Sequence, residues 1–381
     1  MDVFINDVSA FLPNDPVTND DIEAVLGKVN GIGSKAKRIV LNSNQIKQRY
    51  YALNPESGRL THTNAQLTAE AIRKLRPYEG FTPSHIECLC CGTTSPDLMF
   101  PGHALMVQGE LGLEACESVT TSGICISGMT AFKYAFMNVA AGLAPNAVAA
   151  GSELASSYMR ARFLTPFYKE LPDLETRPER AFDADFLRWM LSDGAGAAFL
   201  SAEKNRGRLS LKVDWLEVIS YAGKLETCMY AGGVKQADGS IVGWRDIEAI
   251  APESMPHRFS VRQDIKLLDR EIVQTMGTAL STVIRKHGLR PDAVDWFLPH
   301  YSSDYFRPKF YEEMKRIGFE IPYSRWFSNL AEKGNTGSAA IFIILEELFH
   351  SGKLEPGRKL LCFIPESGRF SHAFVGLTVE R

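Results

Sequence analysis

Three residues able to carry acyl chemistry stand in separate turns of small residues. Cys125 lies in Thr121-Ser122-Gly123-Ile124-Cys125-Ile126-Ser127-Gly128, His300 in Leu298-Pro299-His300-Tyr301, and Asn335 in Gly334-Asn335-Thr336-Gly337. Cys125 opens a long apolar stretch that reads as a helix over 127–141. A thiol there meets the positive end of the helix dipole and unpaired backbone N–H groups, and both favour the nucleophilic thiolate. A free cysteine titrates near ~8.5, and such placement lowers that by about a unit or more. Most free cysteines are small buried hydrophobes, so the thiol alone decides nothing. His300 directly follows an apolar strand, and catalytic side chains gather at strand ends in α/β proteins. Asn335 on its own reads as a helix cap or turn residue. Together the three make an acyl-transfer set. The thiolate attacks a thioester, while His and Asn donate hydrogen bonds to an oxyanion or enolate.

Elements that alternate along the chain must position them. Strands are expected at 86–92, 147–151, 196–201, 296–298 and 360–364, and helices at 65–74, 127–141, 262–287, 305–317 and 338–349. Strand and helix in turn imply a mainly parallel sheet covered by helices. The loop-rich stretch 223–253 decorates this core. There is also an internal echo. Cys125, an apolar helix, Gly142-Leu143-Ala144-Pro145, a strand and Gly151-Ser152-Glu153 recur as Asn335, an apolar helix, Gly352-Lys353-Leu354-Glu355-Pro356, a strand and Pro365-Glu366-Ser367-Gly368. The repeat suggests a duplicated half that sets Cys125 and Asn335 at equivalent helix starts.

Composition narrows the classes. The 381 residues are 45% hydrophobic and 23% charged, as in an ordinary globular enzyme. A net charge of −3 argues against nucleic-acid binding by bulk electrostatics. No apolar run approaches the ~20 residues of a membrane span. Met1-Asp2-Val3-Phe4-Ile5 reads as a strand, not a signal peptide. The 7 cysteines form an odd set without framework spacing, which fits a reducing cytoplasm. Cys88-Leu89-Cys90-Cys91 has no second Cys/His pair near it and reads as a buried strand, so no metal is expected.

Cys125, Leu298-Pro299-His300 and Gly334-Asn335-Thr336 resemble, in order and spacing, the β-ketoacyl-acyl-carrier-protein synthase III group of the thiolase superfamily. Gly92-Thr93-Thr94-Ser95-Pro96-Asp97 is similar to that family's loop before the nucleophile. Ser192-Asp193-Gly194-Ala195-Gly196-Ala197-Ala198 is similar to a motif that opens one of its strands. The resemblance runs from about residue 3 to residue 377. It implies a five-layer αβαβα fold of two similar halves, 1–200 with the cysteine and 201–381 with His300 and Asn335, and a homodimer. It also implies an acyltransferase in which Cys125 takes an acyl group from a thioester, with its own N–H as one oxyanion donor. A second thioester then loses CO2 or a proton, His300 and Asn335 hold the enolate oxygen, and the carbanion attacks the acyl-cysteine. No cofactor is implied: acyl-CoA or an acyl carrier protein brings the substrate. Carrier proteins are acidic, and Arg307, Lys309, Lys315 and Arg316 are docking candidates.

Three departures qualify the resemblance. No tryptophan precedes Trp189, where primers from coenzyme A meet an aromatic lid in the family. The glycine-rich loop near the C-terminus is replaced by Pro365-Glu366-Ser367-Gly368-Arg369-Phe370, leaving Ser367 or Gly368 as further oxyanion donors. The stretch 223–253 reshapes the acyl tunnel. These features are similar to those of ketosynthases of dialkylresorcinol and aryl-polyene pathways, which join an acyl or enoyl thioester to a β-ketoacyl thioester before ring closure. Such chemistry needs a base, for which Glu153 is the candidate. Decarboxylative condensation in fatty-acid or polyketide-like metabolism, the ring-forming reaction, and plain acyl transfer from cysteine all remain open.

Overall fold

Residues 88–93 form a strand that is apolar at almost every position, with Cys88 and Cys90 packing to one side and Leu89 and Cys91 to the other. Successive strand side chains point to opposite faces, so such a strand needs cover on both. Strand 146–153 repeats the pattern, with Ala147 and Ala149 on one face and Val148 and Ala150 on the other. The computed structural model describes residues 1–34, 36–169, 186–246 and 259–381, and supplies that cover.

The main sheet contains β1 (Phe4–Phe11), β2 (Cys88–Thr93), β3 (Glu117–Ser122), β4 (Asn146–Glu153), β5 (Gly194–Ser201), β6 (Ser210–Ser220), β7 (Trp296–Pro299), β8 (Lys359–Glu366) and β9 (Ser371–Glu380). Their order is β7-β8-β9-β6-β1-β5-β4-β2-β3. Outward from the centre, β1, β5 and β4 pair antiparallel, and β4, β2 and β3 parallel. On the other side β6, β9 and β8 pair antiparallel, and β8 and β7 parallel. A parallel bridge from Phe297 to Trp326 stands where the fifth strand of this half would lie. The same topology twice is the duplication seen in sequence. The halves join at the short antiparallel contact Phe4–Lys212 and Ile5–Leu211.

Helices α1 (Asn64–Arg73) and α2 (His103–Leu111) cover the outer face of the first half, with Leu67, Ile72 and Val107 against Leu89, Val148 and Phe199. Helices α3 (Ser127–Ala140) and α6 (Ala340–Phe349) lie between the halves, where Phe132, Phe342 and Leu345 meet Val8, Ala149, Ile364 and Val375. Helices α4 (Ile265–His287) and α5 (Arg307–Arg316) cover the second half, with Ile272, Met276 and Phe310 against Phe363 and Phe374. These are the five layers of a thiolase-like αβαβα fold.

Local chemistry sets the ends. The Asp264 side chain accepts from Leu267 N–H and starts α4, so the helix expected from 262 begins at 265. Gly288, at φ 60°, ends it just after Arg285 and Lys286, whose charges suit the negative end of the helix dipole. Pro308 near the start of α5 makes Asp304–Phe306 a separate 3-10 turn. Within 223–253 short pairings form, Gly233–Lys235 with Ile241–Gly243 and Met229–Tyr230 with Arg262–Gln263; residues 247–253 lie outside the described residues. No helix among the described residues is long and apolar enough to cross a membrane.

The turn that leads into α6 lies in backbone contact with the start of α3 and with β4. A Cβ on Gly128 or on Gly151 would lie 2.3 Å from the Ser338 carbonyl oxygen. Gly128→Ala must push the halves apart, an overpacking cost of about 1–3 kcal/mol. A lower thermal midpoint checks this; an unchanged midpoint contradicts so close an approach.

Candidate active site

Cys125 lies between β3 and α3, buried at the floor of a cleft. Asn335, Glu153, Tyr158 and Ser367 line the same cleft, and its walls are largely apolar, with Leu187, Leu191, Leu268, Ile272, Phe306 and Phe310. Residues more than 200 positions apart in sequence therefore meet because the fold places two equivalent helix starts face to face.

The thiol does not titrate as the sequence suggests. Burial pushes the Cys125 pKa up, and the carboxylates of Glu366 and Glu153 push it further; only its own backbone N–H opposes them. Water is excluded and negative charge stands nearby, so the expected depression by the helix start is reversed. The resting group is the thiol. Thiolate content therefore climbs about tenfold per pH unit through the neutral range. Alkylation of Cys125 by iodoacetamide, followed on its own peptide by mass spectrometry, is expected to accelerate from pH 7 to pH 9. A plateau below pH 8 contradicts the raised pKa.

His300 follows β7, and its N–H donates to the Phe363 carbonyl at 2.8 Å. The ring is buried, which lowers its pKa to about 4, so it is neutral at pH 7. Its Nε2 has no hydrogen-bond partner among the described residues. An unpaired buried polar atom costs about 1–3 kcal/mol, and such atoms call for a functional explanation. His300 is not itself among the cleft-lining residues, but Ser302 and Pro365 beside it are.

Asn335 is tied down by its backbone. Its N–H donates to the Met190 carbonyl at 3.3 Å, and its carbonyl accepts from Ser192 N–H at 2.8 Å. Its side-chain Oδ1 accepts from Gly337 N–H at 3.0 Å. An N–H donor requires the oxygen at that position, which leaves Nδ2 as the donor for the cleft.

Residues 284–364, the segment carrying His300 and Asn335, match the family described as 3-Oxoacyl-[acyl-carrier-protein (ACP)] synthase III C terminal. The chain is 24% identical over 320 residues to the beta-ketoacyl-[acyl-carrier-protein] synthase III of Rhizorhabdus wittichii, covering 83% of this chain and 82% of that protein. It is 22% identical over 363 residues to the synthase III of Chlorobium luteolum, covering 95% and 94%. The chain is similar to synthase III proteins along most of its length. Solved structures agree on the fold. AbyA1, a tetronic acid condensing enzyme, superposes with a TM-score of 0.76 at 20% identity over 99% of both chains. The Aquifex aeolicus synthase III gives 0.70 at 20% identity over 99% of both, and Xanthomonas campestris OleA gives 0.72 at 17% over 99% of both.

Two expectations are corrected. Gly368 is not a free oxyanion donor: its N–H donates to Glu366 Oε1 at 2.6 Å, two residues back. Ser367 does reach the cleft. The basic cluster is largely neutralised. Arg307 lies 3.8 Å from Asp304, Lys309 bonds Asp269, and Arg316 grips Glu313 through two bonds of 2.7 Å, which leaves Lys315. Phe306 and Phe310, not these cations, face the cleft.

Tyr158 was missed in sequence. Its phenol is raised well above its ordinary pKa by burial, then by Glu153, Asp193 and Cys125, so it stays an O–H. The only signal was its place five residues beyond Glu153, after the strand end.

Proposed function

We propose that the protein joins two acyl thioesters by Claisen condensation through an acyl-Cys125 intermediate. The supporting observation is that Cys125 and Asn335, from opposite halves, face one largely apolar cleft, with the amide nitrogen of Asn335 left as a donor. Cys125 sulfur attacks the first thioester carbonyl, and the carrier departs as a thiol with the cysteine proton. The second thioester then yields an enolate by losing CO2 or, for a β-ketoacyl donor, by passing its acidic α-proton to water. Asn335 Nδ2 and His300 Nε2–H hold the enolate oxygen, and its carbon attacks the acyl-cysteine and releases the sulfur. Burial keeps His300 neutral, so it can serve as such a donor. The Cys125 and Ser367 backbone N–H groups serve the oxyanion. The chemistry needs no metal or redox cofactor. Acyl-CoA or an acidic acyl carrier protein delivers the substrates, in the cytoplasm, where the 7 free cysteines stay reduced.

The active unit is a homodimer in this reading. Strand β3 is a sheet edge, and an open edge is a template for a second strand. The neighbouring loop exposes Leu98, Met99 and Phe100, and in the first turn of α2, which follows it, Ala104 N–H is bonded to Thr120 of β3.

A decarboxylative second donor is the first reading. The alternative joins a β-ketoacyl thioester without CO2 loss and leads to ring closure. Intact-protein mass spectrometry with acyl and enoyl thioesters, followed by malonyl- or β-ketoacyl-carrier protein, separates them. Discharge of acyl-Cys125 by the malonyl donor with CO2 supports the first. Discharge only by the β-ketoacyl donor supports the second, and transfer only to water, alcohol or amine leaves a simple acyltransferase. An enzyme that never loads overturns all three.

A further inference from the structure

We infer that Glu153 is a positioning residue, a carboxylate that staples the Asn335 turn of the second half onto the first half. The inference rests on the condensing reading for its effect on activity, though not for its structural part.

Glu153 ends β4 and Glu366 ends β8, the equivalent strands of the two halves, and both run eight residues. Both carboxylates are buried. Their partners differ. Glu366 accepts from Gly368, Arg369 and Ser371, all in its own loop. Glu153 instead bridges. Its Oε1 accepts from Thr94 Oγ1 at 2.6 Å, from Thr94 N–H at 3.2 Å and from Ser338 N–H at 3.2 Å; its Oε2 accepts from Ser95 Oγ at 3.0 Å. Thr94 and Ser95 belong to the loop after β2, and Ser338 to the turn that leads into α6.

Three further contacts tighten the staple. Ser338 Oγ donates to the Ser152 carbonyl at 2.8 Å. Gly337 lies flat on the Glu153 stem, where a Cβ would sit 2.9 Å from Glu153 Cγ, and its φ of 52° suits glycine. The N–H of the same Gly337 holds Asn335 Oδ1. The chain of contact runs from Glu153 to Gly337 and Ser338, then to the amide that faces the cleft. Four donors on one carboxylate suit a fixed anchor. A base for the substrate carbon must take a proton, and a proton on Oε1 would set a donor against the backbone N–H groups of Thr94 and Ser338, which cannot turn to accept.

Glutamine keeps the Oε1 acceptor for Ser338 and Thr94, and its amide can donate to Ser95 Oγ. Alanine removes the staple. Glu153→Ala is expected to load acyl groups on Cys125 no more slowly than wild type, since a charge that raises the thiol pKa is gone, and to lose condensation by about 100-fold, the scale of a 1 Å misplacement. Glu153→Gln is expected to keep most of the condensation. Hydrogen exchange over residues 335–342 is expected to quicken in Glu153→Ala and not in Glu153→Gln. Ser338→Ala, which loses the Oγ bonds to Ser152 and Gly92 and keeps the N–H bond to Glu153, gives a weaker form of the same signature if Glu153→Ala does not fold. A Glu153→Gln enzyme as inactive as Glu153→Ala overturns the inference in favour of a base. Unchanged exchange in Glu153→Ala also overturns it. Should the wild type condense no donor, the functional reading falls, and the exchange experiment still tests the staple.

Discussion

Cys125→Ala is expected to abolish acyl loading. The intact mass stays at that of the free protein with every thioester offered, and turnover falls by on the order of 10⁴-fold or more, as when a nucleophile is removed. The argument rests on access. Of the 7 cysteines, only Cys125 is among the residues lining the cleft. Cys88, Cys90, Cys91 and Cys362 are fully enclosed in strands β2 and β8, and burial raises the thiols of Cys91 and Cys362. Cys228 is buried beside Asp264, and Cys116 is half-buried just before β3. None can take over the acyl group. Alanine also removes the thiol that burial and two carboxylates disfavour in ionised form, so folding should not suffer. A thermal midpoint equal to that of the wild type, with no acyl adduct, assigns the loss to chemistry. An adduct that persists in the variant moves the nucleophile elsewhere and undoes the mechanism proposed here.

Much of the fold could be read from the chain because its signals are local. Apolar runs at 86–92 and 360–364 are strands covered on both faces, and the echo around Cys125 and Asn335 is the repeated strand order. Strands β3, β6 and β9 escaped notice. β6 carries Lys212, Asp214 and Glu217 among its apolar residues, and β9 follows its turn too closely to stand out. Cys125 and Asn335 stood out as candidates because glycines and small residues flank them, and His300 because it directly follows an apolar strand. Their electrostatics were not. The rise in the Cys125 pKa comes from burial and from Glu366 and Glu153, groups set beside it only by the fold. The loss of Gly368 as a donor depends on a carboxylate folding back on its own loop. The basic cluster on α5 looked free because Lys309 finds its partner, Asp269, 40 residues away on α4. Pairing across elements is what a single sequence does not display.

Asn335→Ala is expected to separate the two halves of the reaction. Acyl loading of Cys125 should remain near the wild-type rate, since the acyl oxyanion is held by backbone N–H groups. Carbon–carbon bond formation should fall by about 10²–10³-fold, the usual cost of one lost oxyanion donor. The structure makes this donor hard to replace. The Asn335 backbone is pinned to Met190 and Ser192, and its Oδ1 to Gly337, so Nδ2 is held in one place by the fold, as a water entering the alanine variant would not be. Asn335→Asp sharpens the test. It keeps the shape and the Gly337 bond, yet sets an acceptor where the donor stood and negative charge towards a developing enolate. It should therefore be at least as inactive as alanine in condensation. Rates of loading and of product formation, measured on the same samples, decide between the reaction classes. A condensing enzyme loads and stalls. A simple acyltransferase needs no enolate stabiliser, so it would pass its acyl group to water, alcohol or amine at the wild-type rate in both variants.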